Sequence, residues 1–143
     1  MATETLERGL SRSPLIRDLV TELEASDLIV HIEMTWSLPS GVRGTTQLAT
    51  VAGGNRYVRI MLRSESLLDE RTAILGHELY HACEIARSSA ATAEEMRGLY
   101  GAIGRAVTDT KNIFETQAAI DAGLRVWFEL HGPAAMPRSS KIQ

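Results

Sequence analysis

At 143 residues, 44% hydrophobic and 23% charged, the chain has the size and composition of one domain able to bury its own core. A net charge of -3 and a pI near 5.8, with the basic residues scattered, exclude a nucleic-acid partner on electrostatic grounds. One cysteine, Cys83, rules out an internal disulfide, and no apolar run approaches the roughly eighteen residues of a membrane span.

The opening MATETLERGLSRS lacks the apolar centre of a signal peptide, so a soluble protein is expected, cytoplasmic by default or exported if a leader has been removed. Residues 1–12 are expected to be flexible, with a single folded domain over 13–131 and a flexible tail over 132–143. From Ser13 to Glu24, Leu15, Ile16, Leu19, Val20 and Leu23 form one stripe behind a Ser13 cap and Pro14 at the first helical position, the pattern of an amphipathic packing helix. Next, Leu28, Val30, Ile32, Met34 and Trp36 alternate with Ile29, His31, Glu33 and Thr35, which marks a half-buried strand. His31 falls on its polar face and reads as a surface histidine.

Turn formers in LPSGVRG end that strand. TTQLATV and RYVRIML then read as a β-hairpin about Ala52-Gly53-Gly54-Asn55, because Gly and Asn supply the positive φ of its turn. In the second strand Val58, Ile60 and Leu62 face the core, while Tyr57, Arg59 and Met61 face solvent or a ligand groove. A helix covers SLLDERTAILGHELYHACEIARSS, opened by a capping box of Ser66 and Asp69, with Cys83 as a small buried hydrophobe. Residues 92–106 read as a further helix, weakened by Gly98, Gly101 and Gly104. The last helix opens at Thr108 or Asp109 and stops at Gly132-Pro133, with His131 in its final turn capping the helix carboxyl end.

Within the helix that begins at Ser66, LGHELYH sets His77 and His81 four residues apart with Glu78 between them. Positions i and i+4 stack on one helix face, so both imidazoles point at a single ion while Glu78, turned by about 100°, stays beside it. That is the physical content of H-E-x-x-H as a zinc site. Random order yields the pattern in roughly one chain in a hundred of this composition, so context has to carry the reading.

A catalytic zinc needs a third protein ligand. Glu84 shares the stripe of His77 and His81, but three ligands from one straight helix surround a tetrahedral ion poorly. It reads as a carboxylate that supports a ligand histidine or as a solvated charge, and Glu84→Ala is expected to leave zinc affinity nearly unchanged. Glu115 is the better candidate, placed near the start of the last helix. There Ala118, Ala119, Ala122 and Val126 form a narrow stripe of small residues that lets two helices approach closely.

His77-Glu78-Leu79-Tyr80-His81 followed by Glu115-Thr116-Gln117-Ala118 resembles the gluzincin branch of the zincin metallopeptidases, and the order of elements is similar to the single-domain minigluzincins. The resemblance implies an α+β, zincin-like fold: a small antiparallel or mixed β-sheet of about three strands packed on an HExxH active-site helix and a glutamate helix. It implies one Zn²⁺ held by His77, His81 and Glu115, with Glu78 as general base and then acid. Where some gluzincins carry Asp four residues after the ligand glutamate, this chain has Ala119, so no partner for the histidines' other nitrogens is assigned.

The expected function is zinc-dependent hydrolysis of peptide bonds, with a peptide or protein as substrate. The alternatives are a catalytically inactive zincin-like module that binds zinc and a partner, and an accidental motif. Tyr100, His131, Tyr57 and Arg59 are unranked candidates for stabilising the oxyanion. The strand RYVRIML, immediately before the motif helix, is expected to be an edge strand that an extended substrate joins at Tyr57, Arg59, Ile60 and Met61.

Overall fold

A computed structural model describes residues 2–106 and 114–132, with only the backbone of 105 and 106. Among the described residues it is an α+β protein of five helices and a three-stranded mixed sheet, with a second sheet of two two-residue strands. No described helix is long and apolar enough to cross a membrane. The tail from 133 onward and the stretch 107–113, where the last helix was expected to begin, lie outside the described residues.

The first twelve residues, expected to be flexible, contain helix α1 (Ala2–Arg12). Only Thr5 and Gly9 are fully buried, and the two leucines that pack on the core, Leu6 and Leu10, are partly buried, which is too short a pattern for apolar periodicity to reveal the helix. Gly9 lies so close to α2 (Pro14–Glu24) that a Cβ there would be 2.6 Å from Ile16 Cδ1. At the start of α2, Ser13 caps as expected: its Oγ accepts from Ile16 N–H at 3.0 Å.

Strands β1 (Leu28–Thr35), β2 (Gly44–Ala52) and β3 (Asn55–Arg63) form the sheet. The hairpin is as read: Ala52 opposes Asn55, and Gly53 and Gly54 take φ of 60° and 83°, the left-handed region open to glycine. The strand order is not. β1 joins β3 in parallel, giving β1-β3-β2, so β3 is the central strand and the edges are β1 and β2.

Val58, Ile60 and Leu62 bury against α3 (Leu68–Ala86), which runs through the middle of the protein. α3 is buried on nearly all sides from Arg71 to Ile85, because the sheet, α1 and α2, and α5 (Gln117–His131) all pack on it. The expected capping box is not formed: the N-cap is Leu67 without a side-chain bond, and Asp69 instead pairs with Arg8 and His131. At the other end Arg56, the second residue of β3, lays its guanidinium over the last turn of α3. It donates to the carbonyls of Ile85, Ala86, Ser88 and Ala90 and binds Asp27 through two 2.7 Å bonds. α4 (Ala93–Ile103) follows, capped by Thr92, with Gly98 and Gly101 on its exposed side. The short strands β4 (Arg105–Ala106) and β5 (Phe114–Glu115) then lead into α5.

Candidate metal centre

His77, Glu78 and His81 face one another on α3 as a buried group able to hold a metal ion, each offering a ligand atom within 4.8 Å of the others. Glycine lets the supporting helix come close. A Cβ at Gly76 would lie 2.5 Å from Val126 Cγ2, and one at Gly123 would lie 3.2 Å from His77 Cβ. Thus α5 passes against the motif at two glycines, with Ala119, Ala122 and Val126 buried in the same contact and Ala118 left exposed.

Glu115 does reach the motif, but not from a helix. It ends β5, followed by Thr116 as the N-cap of α5, whose Oγ1 accepts from Ala119 N–H at 3.2 Å. Thr116 carries an N-cap signal, a hydroxyl three residues before a buried helical position, and this cap lies eight residues after Thr108 and seven after Asp109, the two expected ones. Gly104, which the sequence reading counted only as a weak helix residue, is seated against the Glu115 carbonyl where a Cβ would collide with it.

The donor atoms converge. Glu115 Oε1 lies 2.9 Å from His77 Nε2 and 3.1 Å from His81 Nε2, and the two Nε2 atoms are 3.2 Å apart. Glu78 Oε2 lies 3.8 Å from His77 Nε2. All four residues are at most 5% exposed. Burial opposes a charge on His81, yet hydrogen bonds to Glu115 and Glu84 outweigh it and raise the imidazole to about 10. Burial likewise opposes ionisation of Glu115, but the hydrogen bonds from His77 and His81 hold its carboxyl down at about 2. A buried carboxylate among imidazoles is a set of donors suited to a positive charge at its centre.

Behind His81 lies the partner that the resemblance left unassigned. Glu84 Oε1 accepts from His81 Nδ1 at 2.7 Å and from the Tyr100 hydroxyl at 3.3 Å, and its Oε2 accepts from Thr116 Oγ1 at 2.7 Å. Glu84 is therefore no solvated charge, and its spacing of three from His81 is the signal that finds it. Tyr100 stacks on Phe114 at 4.9 Å, and burial, followed by the Glu84 charge, pushes its hydroxyl above its ordinary range.

The remaining candidates are elsewhere. His131 Nε2 is 3.1 Å from Asp69, at the opposite end of α3. Arg59 pairs with Glu33 at 3.5 Å on the sheet face opposite the core, where Tyr57 and Met61 also alternate, and Ile60 is wholly buried. The expectation that substrate pairs with β3 at Tyr57, Arg59, Ile60 and Met61 fails, because β3 is hydrogen-bonded on both sides. The edge that meets the motif is β2. Thr46 Oγ1 is 2.8 Å from Glu78 Oε1 and 3.0 Å from the Glu78 carbonyl, a contact that sequence reading missed because strand alternation specifies faces and not neighbours.

No protein-family model matches this chain, and neither does any curated protein or solved structure.

Proposed function

We propose that the chain is a zinc-dependent peptide-bond hydrolase with a zincin-like arrangement, in which His77, His81 and Glu115 hold Zn²⁺. The observation that carries the reading is the convergence of two imidazole nitrogens and one carboxylate oxygen at 2.9 to 3.2 Å from one another, with a second carboxylate alongside. Ligand bonds of about 2.0–2.1 Å around a tetrahedral zinc imply donor separations of about 3.3–3.4 Å, so the set closes around such an ion with a few tenths of an ångström of adjustment. Zinc would supply a Lewis acid that acidifies water and polarises a carbonyl.

The chain's own groups do the rest. Glu78 takes a proton from the attacking water and delivers it to the leaving amine, base and acid in turn. Glu84 accepts the His81 Nδ1 proton, which leaves the Nε2 lone pair turned to the centre.

An extended peptide would pair with β2. The Arg63 N–H donates to the Arg43 carbonyl, so the alternation of an antiparallel ladder puts Thr45 and Gln47 in hydrogen-bonded pairs and turns the N–H and C=O of Thr46 and Leu48 outward. Leu48→Pro removes one outward donor without breaking the ladder. It is expected to lower peptide turnover at least about tenfold, the equivalent of one lost hydrogen bond left unpaired, while zinc binding stays unchanged.

The test of the reading is metal analysis of protein purified without added zinc, together with cleavage of a mixed peptide library and Glu78→Gln as control. Zinc at one per chain with cleavage that Glu78→Gln abolishes supports it; absence of zinc overturns it. Zinc without cleavage favours the second reading, an inactive zinc-holding interaction module, for which the burial of all four site residues is the supporting observation.

A further inference from the structure

Glu78 has one hydrogen-bonding side chain beside it among the described residues, and it comes from the sheet. Thr46 Oγ1 sits 2.8 Å from Glu78 Oε1 and 3.0 Å from the Glu78 main-chain carbonyl. The approach is deliberate in shape: two residues earlier on the same strand face, Gly44 carries no side chain where a Cβ would lie 2.8 Å from Ile74 Cγ2 and 3.1 Å from Glu78 Cγ. Ile74 and Glu78 are one helical turn apart, so β2 is laid onto α3 along that turn.

A hydroxyl has one proton and lone pairs to spare. Facing a carboxylate, Thr46 donates to Oε1. Facing a protonated carboxyl, it accepts from Glu78 and turns its own proton to the carbonyl at 3.0 Å. The heavy atoms need not move between the two states. The same residue also offers its main-chain N–H and C=O at the open edge of β2. We propose that Thr46 is a positioning residue: it holds Glu78 in one place with and without the transferred proton, and aligns it with a peptide paired to β2. The inference rests on the reading of Glu78 as the proton carrier.

Thr46→Val keeps the shape and removes the hydroxyl; Thr46→Ser keeps the hydroxyl. In the zinc-loaded protein, Thr46→Val is expected to lower kcat about 10- to 100-fold, in the range of lost orienting partners, with KM and zinc affinity each within about threefold of the parent. Thr46→Ser is expected to recover most of kcat. The metal-free protein gives a readout without turnover: Thr46→Val lowers the thermal midpoint by about 2–5 °C in the parent and by clearly less when Glu78 is already Ala, where only the bond to the main-chain carbonyl is left to lose. Unchanged kcat in Thr46→Val, or failure of Thr46→Ser to recover it, overturns the positioning role and leaves the hydrolase reading standing. A parent that loads zinc and shows the thermal coupling, yet cleaves no peptide, overturns the hydrolase reading and the role of Thr46 in it.

Discussion

The two histidines of the motif stand one turn apart on the same helix, yet they are held in different ways. His81 is oriented by hydrogen bonds: Nδ1 donates to Glu84, which is itself fixed by Thr116 and Tyr100. His77 shares Glu115 at Nε2 but has a buried Nδ1 with no hydrogen-bond partner among the described residues, and on that side it faces α5 at Gly123, where a Cβ would lie 3.2 Å from its own. Polar chemistry orients one ring and close packing the other, so they should fail to different substitutions.

The largest expected effect comes from the group that serves both. Glu115→Ala removes the oxygen shared by the two Nε2 atoms, and zinc affinity measured by chelator competition should fall by more than about 100-fold, beyond the range for supporting partners. Retention of parental affinity would show that the ion is held some other way. Glu84→Ala breaks the His81 side alone, and a loss of about 10- to 100-fold is expected. This replaces the sequence-based expectation of no change, because Glu84 accepts from the ring and is buried with it.

On the His77 side the corresponding change is Gly123→Ala, where the new methyl meets His77 Cβ at 3.2 Å and the Ala73 carbonyl at 3.3 Å. His77 has to give by a few tenths of an ångström, and a loss of less than about tenfold is expected, below that for a missing hydrogen-bond partner. If Gly123→Ala costs more than Glu84→Ala, packing rather than hydrogen bonding is the stronger restraint, and the contrast between the two rings is reversed.

The smallest effect is on the stability of metal-free protein against pH. His81 is raised in the folded state to about 10, above its unfolded value, so its contribution is fully present below about 6.5 and is lost as pH rises through about 10. Glu115 is lowered to about 2, so its contribution is present above about 4.5 and is lost as pH falls through about 2. Thermal midpoints should therefore be highest between those bounds and decline toward pH 9, and Glu84→Ala should flatten the alkaline decline. A flat profile in the parent would contradict the assignment of the His81 contacts.

Local chemistry announced much of this protein. Ser13-Pro14 marks a helix start, alternation marks β1, Gly53-Gly54 marks the hairpin, and the spacing of His77 and His81 puts both rings on one face. What alternation leaves out is which strand lies beside which: the same pattern in RYVRIML serves a central strand as well as an edge, and only the parallel return of β1 onto β3 decides. Glycines were the other blind spot. Gly44, Gly76, Gly104 and Gly123 weaken helix or strand by propensity, but at the first three another backbone or side chain comes too near for a methyl group, and at Gly123 a methyl group would be a tight fit.

Arg56 has a consequence for the whole arrangement. A helix that rests on a sheet through aliphatic side chains alone meets little resistance to slipping along its own axis, since dispersion contacts are non-directional. A planar guanidinium that donates to Asp27, to two carbonyls in the last turn of α3 and to two just beyond it has direction in every bond, and a lysine ammonium could not span the same set. It acts as a detent that fixes the axial setting of α3 against β3. From Ala86 back to His77 is about 13 Å of helix, so the position of the imidazoles relative to β2 is registered from a point well outside the centre they form.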